Sequence, residues 1–224
     1  MPDYGLKILN VNSEIQIDGS FVNYCLRDSA NNQSIGGTAT TVSHNFTVAT
    51  PYPPVVLIKP LQNIGVCLTQ LNYSSPNYTG FRVGGAANAT YSYRVFYPSG
   101  AKSSEDYGLR VYNADEKLVF DSGYAPFRII NVISATHGTT YSHGATDSKV
   151  WYIITPLQMQ YVCIWPGPPA PPMPILGFIS GVKRVSSTQV TVDFMSFGKV
   201  GLARGIGGAN TGTVSKLIVC ECDE

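Results

Sequence analysis

One stretch of the sequence occurs twice: residues 4–18 read YGLKILNVNSEIQID, and residues 107–121 read YGLRVYNADEKLVFD. The two stretches share a tyrosine, a glycine, a leucine, an asparagine and an aspartate in register. In the first copy a short apolar run is followed by a polar turn and by the alternating run EIQID. Alternation with a period of two is typical of a half-buried antiparallel strand, so each stretch is predicted to form a pair of strands.

A second pair of matching stretches follows in the same order. Residues 58–68 read IKPLQNIGVCL and residues 154–164 read ITPLQMQYVCI, with six identities in eleven positions. A weaker match aligns YRVFYPSG at 93–100 with TVDFMSFG at 191–198. Matches in the same order indicate an internal repeat.

The repeat predicts two copies of one module, residues 1–103 and 104–198. Residues 199–224 then form a tail with a Gly-rich loop and a C-terminal strand, which we interpret as one extra hairpin because GL and KLIV in the tail echo the module's opening.

The expected fold class is all-β, with two tandem or intertwined β-sandwich modules and a C-terminal hairpin. Many short alternating runs and no stretch with a helical period of 3.6 residues indicate sandwiches or barrels. The repeat leaves two arrangements open: two separate sandwiches, or two halves of one larger sandwich that exchange strands. The predicted strands are 6–9, 14–18, 43–49, 55–59, 65–70, 91–97, 127–133, 149–154, 161–165 and 189–194.

The composition excludes several classes of function. Charged residues make up 13% of the chain, against ~25% in typical soluble proteins, and the net charge is +1. A nucleic-acid binder or an electrostatic membrane anchor needs a basic surplus, so neither is expected. The chain instead has 20 Ser, 17 Thr, 13 Asn, 22 Gly and 15 Pro. A neutral, turn-rich surface is poorly protected against association, which favours a protein that assembles.

The five cysteines are predicted to be free thiols. Their number is odd, and the opening MPDYGLKILN lacks the features of a secretory signal. Cys220 and Cys222 would point to one face of a strand, while Cys67 and Cys163 occupy equivalent positions of the repeat, which indicates packing. A zinc site needs about four ligands, and no second ligand pair lies near Cys220 and Cys222 in the sequence, so no metal is expected.

Two segments are interpreted as interaction loops. Residues 165–174 contain six prolines and form either a stiff loop or a preorganised arm that docks on a neighbouring subunit. The contact residues of such an arm would be Trp165, Pro168, Pro169, Pro171, Pro172 and Met173. Residues 198–212, with six glycines, are predicted to form a mobile or assembly-ordered loop.

A third segment, residues 72–90, is rich in Tyr, Asn, Ser and Gly, a mixture that suits adaptable contact surfaces and also ordinary surface loops. Tyr73, Tyr78 and Trp151 are the candidate contacts with a receptor or a sugar.

No catalytic residues and no cofactor are predicted. His137 and His143 are six residues apart with Asp147 nearby, a spacing that fits no familiar metalloenzyme. The chain has no G-x-S-x-G elbow and no carboxylate pair in a recognisable setting. A wall-degrading hydrolase is the enzyme alternative, with His137 or His143 as its test residues.

The segment YGLRVYNADEKLVFDSGY and its N-terminal echo resemble a motif of tailed-phage virion proteins. In that motif a YGL-x-V-x-N opening and an F-D-S ending recur in tail-tip, baseplate and fibre-associated proteins. Glu116 and Ser13 stand where the pattern has glycine. The resemblance covers 15–20 residues in each copy and implies a structural role without catalytic residues.

These observations predict a structural component of a phage tail, made in the host bacterial cytoplasm and assembled into the virion. The expected partners are copies of the chain itself, as a trimer or larger ring, together with other tail proteins. The alternative is a receptor- or carbohydrate-binding module for host attachment. Capsid decoration and an unrelated β-sandwich remain further alternatives.

Overall fold

The computed structural model describes residues 8–9, 11, 15–17, 23–37, 41–98, 102–125, 127–144, 149–155, 159–163, 173–203, 207–210 and 215–222. The regular elements of these residues are β-strands, which confirms the predicted all-β class. In chain order they are β1 (Ile8–Leu9), β2 (Ile15–Ile17), β3 (Tyr24–Ser34), β4 (Thr41–Thr50), β5 (Val55–Pro60), β6 (Val66–Ser74), β7 (Asn77–Gly85), β8 (Thr90–Pro98), β9 (Arg110–Tyr112), β10 (Leu118–Asp121), β11 (Phe127–Ala135), β12 (Thr139–Ser142), β13 (Val150–Thr155), β14 (Met159–Cys163), β15 (Met173–Arg184), β16 (Gln189–Ala203), β17 (Gly207–Asn210) and β18 (Ser215–Cys222).

Two large sheets contain most of these strands, and neighbouring strands are antiparallel. The first sheet has the order β11-β18-β13-β5-β8-β3, and the second has the order β12-β16-β15-β6-β7-β4. Off this order, β14 pairs with β15, and β17 pairs with β14. The repeated opening stretches form the two hairpins β1–β2 and β9–β10, as their alternation predicts.

The two sheets pack face to face over two buried apolar clusters, one in each half of the chain. Every second residue of a strand points to the same face, so alternating apolar residues from both sheets meet in the middle. The first cluster is Ile35, Phe46, Val56, Ile58, Val66, Phe81, Val83, Ala89, Tyr91, Val95 and Tyr97, and the second is Ala135, Val150, Tyr152, Val182, Val190, Val192, Leu217 and Val219.

The strand order of both sheets has approximate two-fold symmetry. In the first sheet, the edge strand β11 corresponds to the opposite edge strand β3. Moving inward from the two edges, β18 corresponds to β8, and β13 corresponds to β5. In the second sheet β12, β16 and β15 correspond in the same way to β4, β7 and β6. The internal repeat is therefore visible as strand topology, with β14 and β17 added to the second half. The match of 58–68 with 154–164 instead aligns β6 with β14, so Cys67 and Cys163 do not occupy equivalent strands in this order.

The two halves join edge to edge in both sheets. Tyr152 of β13 lies opposite Ile58 of β5, and Val182 of β15 lies opposite Val66 of β6. An apolar cavity of about 40 Å³ lies at this junction. Both sheets run across the boundary, so the halves form one larger sandwich. Among the described strands, none of one half is inserted within the other.

The C-terminal strand differs from the predicted extra hairpin. Strand β18 lies between β11 and β13 inside the first sheet, and its residues Leu217 and Val219 are fully buried. The predicted boundary at residue 198 falls within β16. The weak match of 93–100 with 191–198 aligns β8 with β16. In the two-fold symmetry of the first sheet, however, the strand equivalent to β8 is β18. Alternating apolar residues are common to all of these strands, so a short match cannot identify the equivalent one.

Two segments that were predicted as loops are largely strands. Residues 72–90 contain the end of β6 and all of β7, which form a tight hairpin, while 198–212 contain the end of β16 and β17. Gly80 of β7 is needed for a close approach of β4, because a Cβ there would lie 2.1 Å from the carbonyl oxygen of His44. Glycine in these segments therefore accommodates close strand contacts as well as turns.

Candidate functional site

The hairpin β9–β10, which contains the repeated stretch YGLRVYNADEKLVFD, is held together by the carboxylate of Asp121. Its oxygens accept hydrogen bonds from the backbone N–H of Ser103 and of Gly123, both at 2.9 Å, and from the Ser103 hydroxyl at 3.0 Å. The Arg110 Nε donates to the same carboxylate at 3.1 Å. The arginine of YGLR and the aspartate of FDSG are thus ion-pair partners across the hairpin.

These contacts set the protonation of Asp121. Burial of the carboxyl group works to raise its pKa, but the hydrogen bonds from Ser103, Gly123 and Arg110 outweigh burial and lower the pKa to about 2. Asp121 is therefore ionised at neutral pH and serves as a structural anion.

Other motif residues shape the ends of the hairpin. Gly108 has φ 137°, a conformation that favours glycine, and the Ser122 hydroxyl accepts a hydrogen bond from the N–H of Leu109 at 2.8 Å. At the turn, the Asn113 side chain accepts hydrogen bonds from the N–H of Asp115 and of Lys117. The motif residues for which contacts are described thus build this hairpin.

Glu116 occupies the turn position at which glycine is expected from the resemblance described above, and its φ is 61°. An L-residue with a Cβ is strained in this left-handed region, whereas glycine adopts it freely. The departure from the pattern therefore leaves the backbone conformation intact and places a less suitable residue in it.

The same hairpin docks on edge strand β3 of the first module. The N–H of Asn23 donates to the carbonyl of Val119 at 2.9 Å, and the N–H of Leu26 donates to the carbonyl of Ala125. A pocket of about 70 Å³ lies between the hairpin and the start of β3.

Side chains hold this docking contact as well. The Arg27 guanidinium donates to the Tyr124 hydroxyl at 2.7 Å, and its carbon atom Cζ lies 5.1 Å from the centre of the Tyr124 ring. The hairpin at the start of the second module is thus bound to the first module.

Two of the three predicted receptor contacts, Tyr73 and Tyr78, lie together. They face each other across the β6–β7 hairpin, with ring centres 5.0 Å apart and planes at 58°. Tyr73 is 58% exposed, and Tyr78 is half-buried. The end of this hairpin therefore presents an aromatic pair to solvent.

Two tyrosines that were not predicted extend this surface. Thr50 lies opposite Tyr78 and its hydroxyl accepts a hydrogen bond from the N–H of Tyr52, which is 47% exposed. The Tyr24 hydroxyl donates to the carbonyl of Pro53 at 3.0 Å. Burial, followed by the neighbouring phenols of Tyr52 and Tyr78, raises the pKa of Tyr24. We call Tyr24, Tyr52, Tyr73 and Tyr78 the tyrosine surface.

The distance in sequence explains why Tyr24 and Tyr52 were not predicted, because Tyr24 comes from β3 and Tyr52 from the loop after β4, and both lie near the hairpin only in the folded chain. Tyr24 also packs against the buried cluster around Trp151. The sequence does contain one indication of this surface, its lack of charged residues. Residues 29–81 contain a single charged residue, Lys59, so the uncharged end of the first module is visible in the sequence.

Trp151 does not belong to this surface, which corrects its prediction as a receptor contact. It is only 1% exposed and lies among Leu57, Phe96, Cys220 and Cys222 on the face of the first sheet that points away from the second sheet. The Arg94 guanidinium and the Lys59 ammonium lie over its ring, at 4.5 and 5.6 Å from the centre. Its large apolar ring favours burial beside these two buried cations.

The proposed proline-rich arm lies mostly outside the described residues. This applies to Trp165, Pro168, Pro169, Pro171 and Pro172, while Met173 begins strand β15, where its backbone pairs with Ala203.

The histidines that were considered for metal binding have separate surroundings. The His137 ring stacks on Phe194 at 3.7 Å, and its Nε2 lies 2.9 Å from the hydroxyl of Ser180, which is fully buried. His143 is buried beside Tyr152. Asp147 lies outside the described residues. Among the residues that the structure describes, no cluster of three or more His, Cys, Asp or Glu could hold a metal ion.

Four cysteines whose side chains are described carry thiols, as predicted: Cys25, Cys67, Cys220 and Cys222. Burial raises the pKa of the Cys67 thiol to about 12, and burial together with the nearby Cys222 raises that of Cys220 to about 12. Thiols with such pKa values stay protonated and pack as apolar groups.

Within the described residues, no helix combines the length and hydrophobicity required to cross a lipid bilayer. Comparison of the chain with protein-family models, curated proteins and solved structures finds no match.

Proposed function

We propose that the protein is a structural component of a tailed-phage tail, located at the tail tip, the baseplate or the fibre-attachment region. The observation that supports this proposal best is the construction of the β9–β10 hairpin. The residues that resemble the virion motif form a clamped hairpin that binds a neighbouring β-module. A motif of this kind suits a protein whose function is to hold modules together.

The continuous double sandwich supports the same proposal. Both sheets cross the module boundary, so a mechanical load on one half passes directly to strands of the other. A rigid block of this type suits a particle component that keeps its shape while its neighbours dock.

Edge strand β11 offers a surface for such docking. Its residues Ile129 and Val132 are 54% and 55% exposed, and in the described part of the chain only β18 pairs with β11. Exposed apolar residues on an open edge favour contact with another chain. In the proposed assembly this edge contacts further copies of the chain or other tail proteins, and the symmetric form is a trimer or larger ring.

Electron microscopy and mass spectrometry of purified virions test this proposal. The expected result is that the chain is present at a fixed copy number and that tail density accommodates a double β-sandwich. Absence of the chain from intact particles would overturn the proposal.

Host attachment, by binding of a receptor or a carbohydrate, is the second candidate function. The exposed Tyr73–Tyr78 pair favours it, because aromatic rings and hydroxyl groups at a rigid tip suit recognition. Purified full-length protein with a fluorescent label should bind host cells in a saturable manner. Absence of binding at micromolar concentration would contradict this candidate without affecting the structural proposal.

A further inference from the structure

We propose that the tyrosine surface binds an uncharged glycan. This inference rests on the second candidate function, host attachment, and adds the chemical class of the ligand and the residues that bind it. Four observations support it: the exposure of the rings, the scarcity of charged residues between positions 29 and 81, the polar groups around the rings, and a comparison with the second module.

The rings are exposed and held in place. Tyr73 and Tyr52 are about half exposed, while Tyr78 and Tyr24 are half-buried beside them. Tyr73 and Tyr78 lie on β6 and β7, which belong to the second large sheet. Because the sheet holds their backbone in place, little conformational entropy is lost when a ligand stacks on the rings. Exposed ring faces can pack against the apolar C–H faces of a sugar ring.

The charge distribution selects an uncharged ligand. Between residues 29 and 81 the only charged side chain is Lys59, and it is 9% exposed on the sheet face that holds Trp151. Recognition of sulfated, phosphorylated or carboxylated glycans normally uses Arg or Lys at the binding surface. The four residues of the tyrosine surface are uncharged, and Asp121, which lines a pocket with Tyr24, carries a negative charge that disfavours an anionic ligand.

Polar groups suited to sugar hydroxyls surround the rings. Ser74 and Ser75 are exposed at the end of the β6–β7 hairpin, and Asn72 and Asn77 are half-buried beside Tyr73 and Tyr78. Hydroxyl and amide groups both donate and accept hydrogen bonds, as sugar hydroxyls do.

The second module provides an internal comparison. Strands β15 and β16 correspond to β6 and β7 in the sheet order, and the last two residue pairs before their connection, Lys183–Thr191 and Arg184–Val190, include no aromatic residue where β6–β7 has Tyr73–Tyr78. The hairpin therefore forms in this fold without tyrosines. Their presence in the first module alone indicates a role other than folding.

The experiment uses the full-length protein on an array of neutral and anionic oligosaccharides, followed by titration calorimetry with each neutral glycan that binds. The expected result is binding to at least one neutral glycan, with an affinity that changes little between low and high salt. Tyr73→Ala and Tyr52→Ala should each weaken binding by roughly tenfold or more, as expected for aromatic anchors of an interface.

Tyr107→Ala is the matched control, since Tyr107 is 93% exposed and lies outside the tyrosine surface. Its affinity should equal that of the unaltered protein, and thermal melts verify that all variants fold. Binding only to anionic glycans, or binding unaffected by Tyr73→Ala and Tyr52→Ala, would overturn the inference.

A host-cell binding assay distinguishes failure of the glycan inference from failure of host attachment, the function on which the inference rests. Cell binding that persists without any neutral-glycan binding would refute the glycan and retain host attachment, with a protein as receptor. Absence of both neutral-glycan binding and host-cell binding would refute the glycan inference and the host-attachment function together.

Discussion

At the scale of single residues, Glu116 has a side chain that its backbone conformation disfavours. Its φ of 61° lies in the left-handed region, and the residue is exposed in the β9–β10 turn. We expect Glu116→Gly to raise the free energy of unfolding by about 0.5–1 kcal/mol, because glycine removes the strain caused by the Cβ. Chemical denaturation of the two proteins measures the difference.

Glu116→Ala is the control for this prediction. Alanine removes the carboxylate and keeps the Cβ, so Glu116→Ala should raise the free energy of unfolding much less than Glu116→Gly does. Equal stabilisation by both substitutions would show that charge, and not backbone strain, determines the effect.

Asp121 is the second residue with a defined energetic role. Asp121→Asn should lower the free energy of unfolding by about 2 kcal/mol near neutral pH, because it removes the charge that accepts hydrogen bonds from Ser103, Gly123 and Arg110. Denaturation at a series of pH values measures this difference.

The pH dependence of that difference follows from the pKa of Asp121. The pKa falls from an ordinary value of 3.8 to about 2 in the folded state, so the stabilisation is complete above pH 3.8 and is lost as the pH falls through about 2. The gap between the two proteins should therefore close over this range. The exposed Asp115→Asn serves as the control and should show no comparable gap.

At the scale of elements, the β9–β10 hairpin is bound to β3 partly by the hydrogen bond from Arg27 to the Tyr124 hydroxyl. Tyr124→Phe removes this bond and keeps the ring beneath the guanidinium. We expect a loss of about 1 kcal/mol and faster hydrogen exchange at the amides of Leu118–Asp121.

Tyr107→Phe removes an exposed hydroxyl from the same segment and should leave exchange unchanged. If Tyr124→Phe also leaves exchange unchanged, the docking of the hairpin depends on its backbone bonds and apolar contacts alone.

The sequence predicted strands where alternation was clear and missed them where polar residues occupy both faces. Residues 55–59 and 91–97 lie within β5 and β8, as expected. Strand β3, with the sequence YCLRDSANNQS, was not predicted, because its polar residues are satisfied by neighbours such as Arg94, which donates to the Asn31 side chain. Such partners are distant in sequence, so local pattern cannot identify them.

At the scale of the whole molecule, the two halves should unfold together, because both sheets cross the boundary. Val182→Ala removes buried apolar volume beside the junction cavity and should cost about 2 kcal/mol. We expect the loss to appear equally in hydrogen exchange of β8 in the first half and of β18 in the second.

Separate unfolding of the two halves would contradict this prediction. It would appear as two denaturation transitions, with β18 destabilised by Val182→Ala and β8 unaffected. Val185→Ala is the control, because Val185 is 44% exposed in the β15–β16 connection and its truncation creates no buried space.

The all-β class, the internal repeat, the two hairpins and the thiols of Cys25, Cys67, Cys220 and Cys222 could all be predicted from the sequence. Each of these depends on local alternation, composition or residues close together in the chain. Tertiary structure alone decided that the halves share both sheets, that β18 completes the second half, that Trp151 is buried, and that Tyr24 and Tyr52 join Tyr73 and Tyr78. Strand order and side-chain burial depend on contacts between residues far apart in sequence, and the alternating pattern is the same for any order of strands.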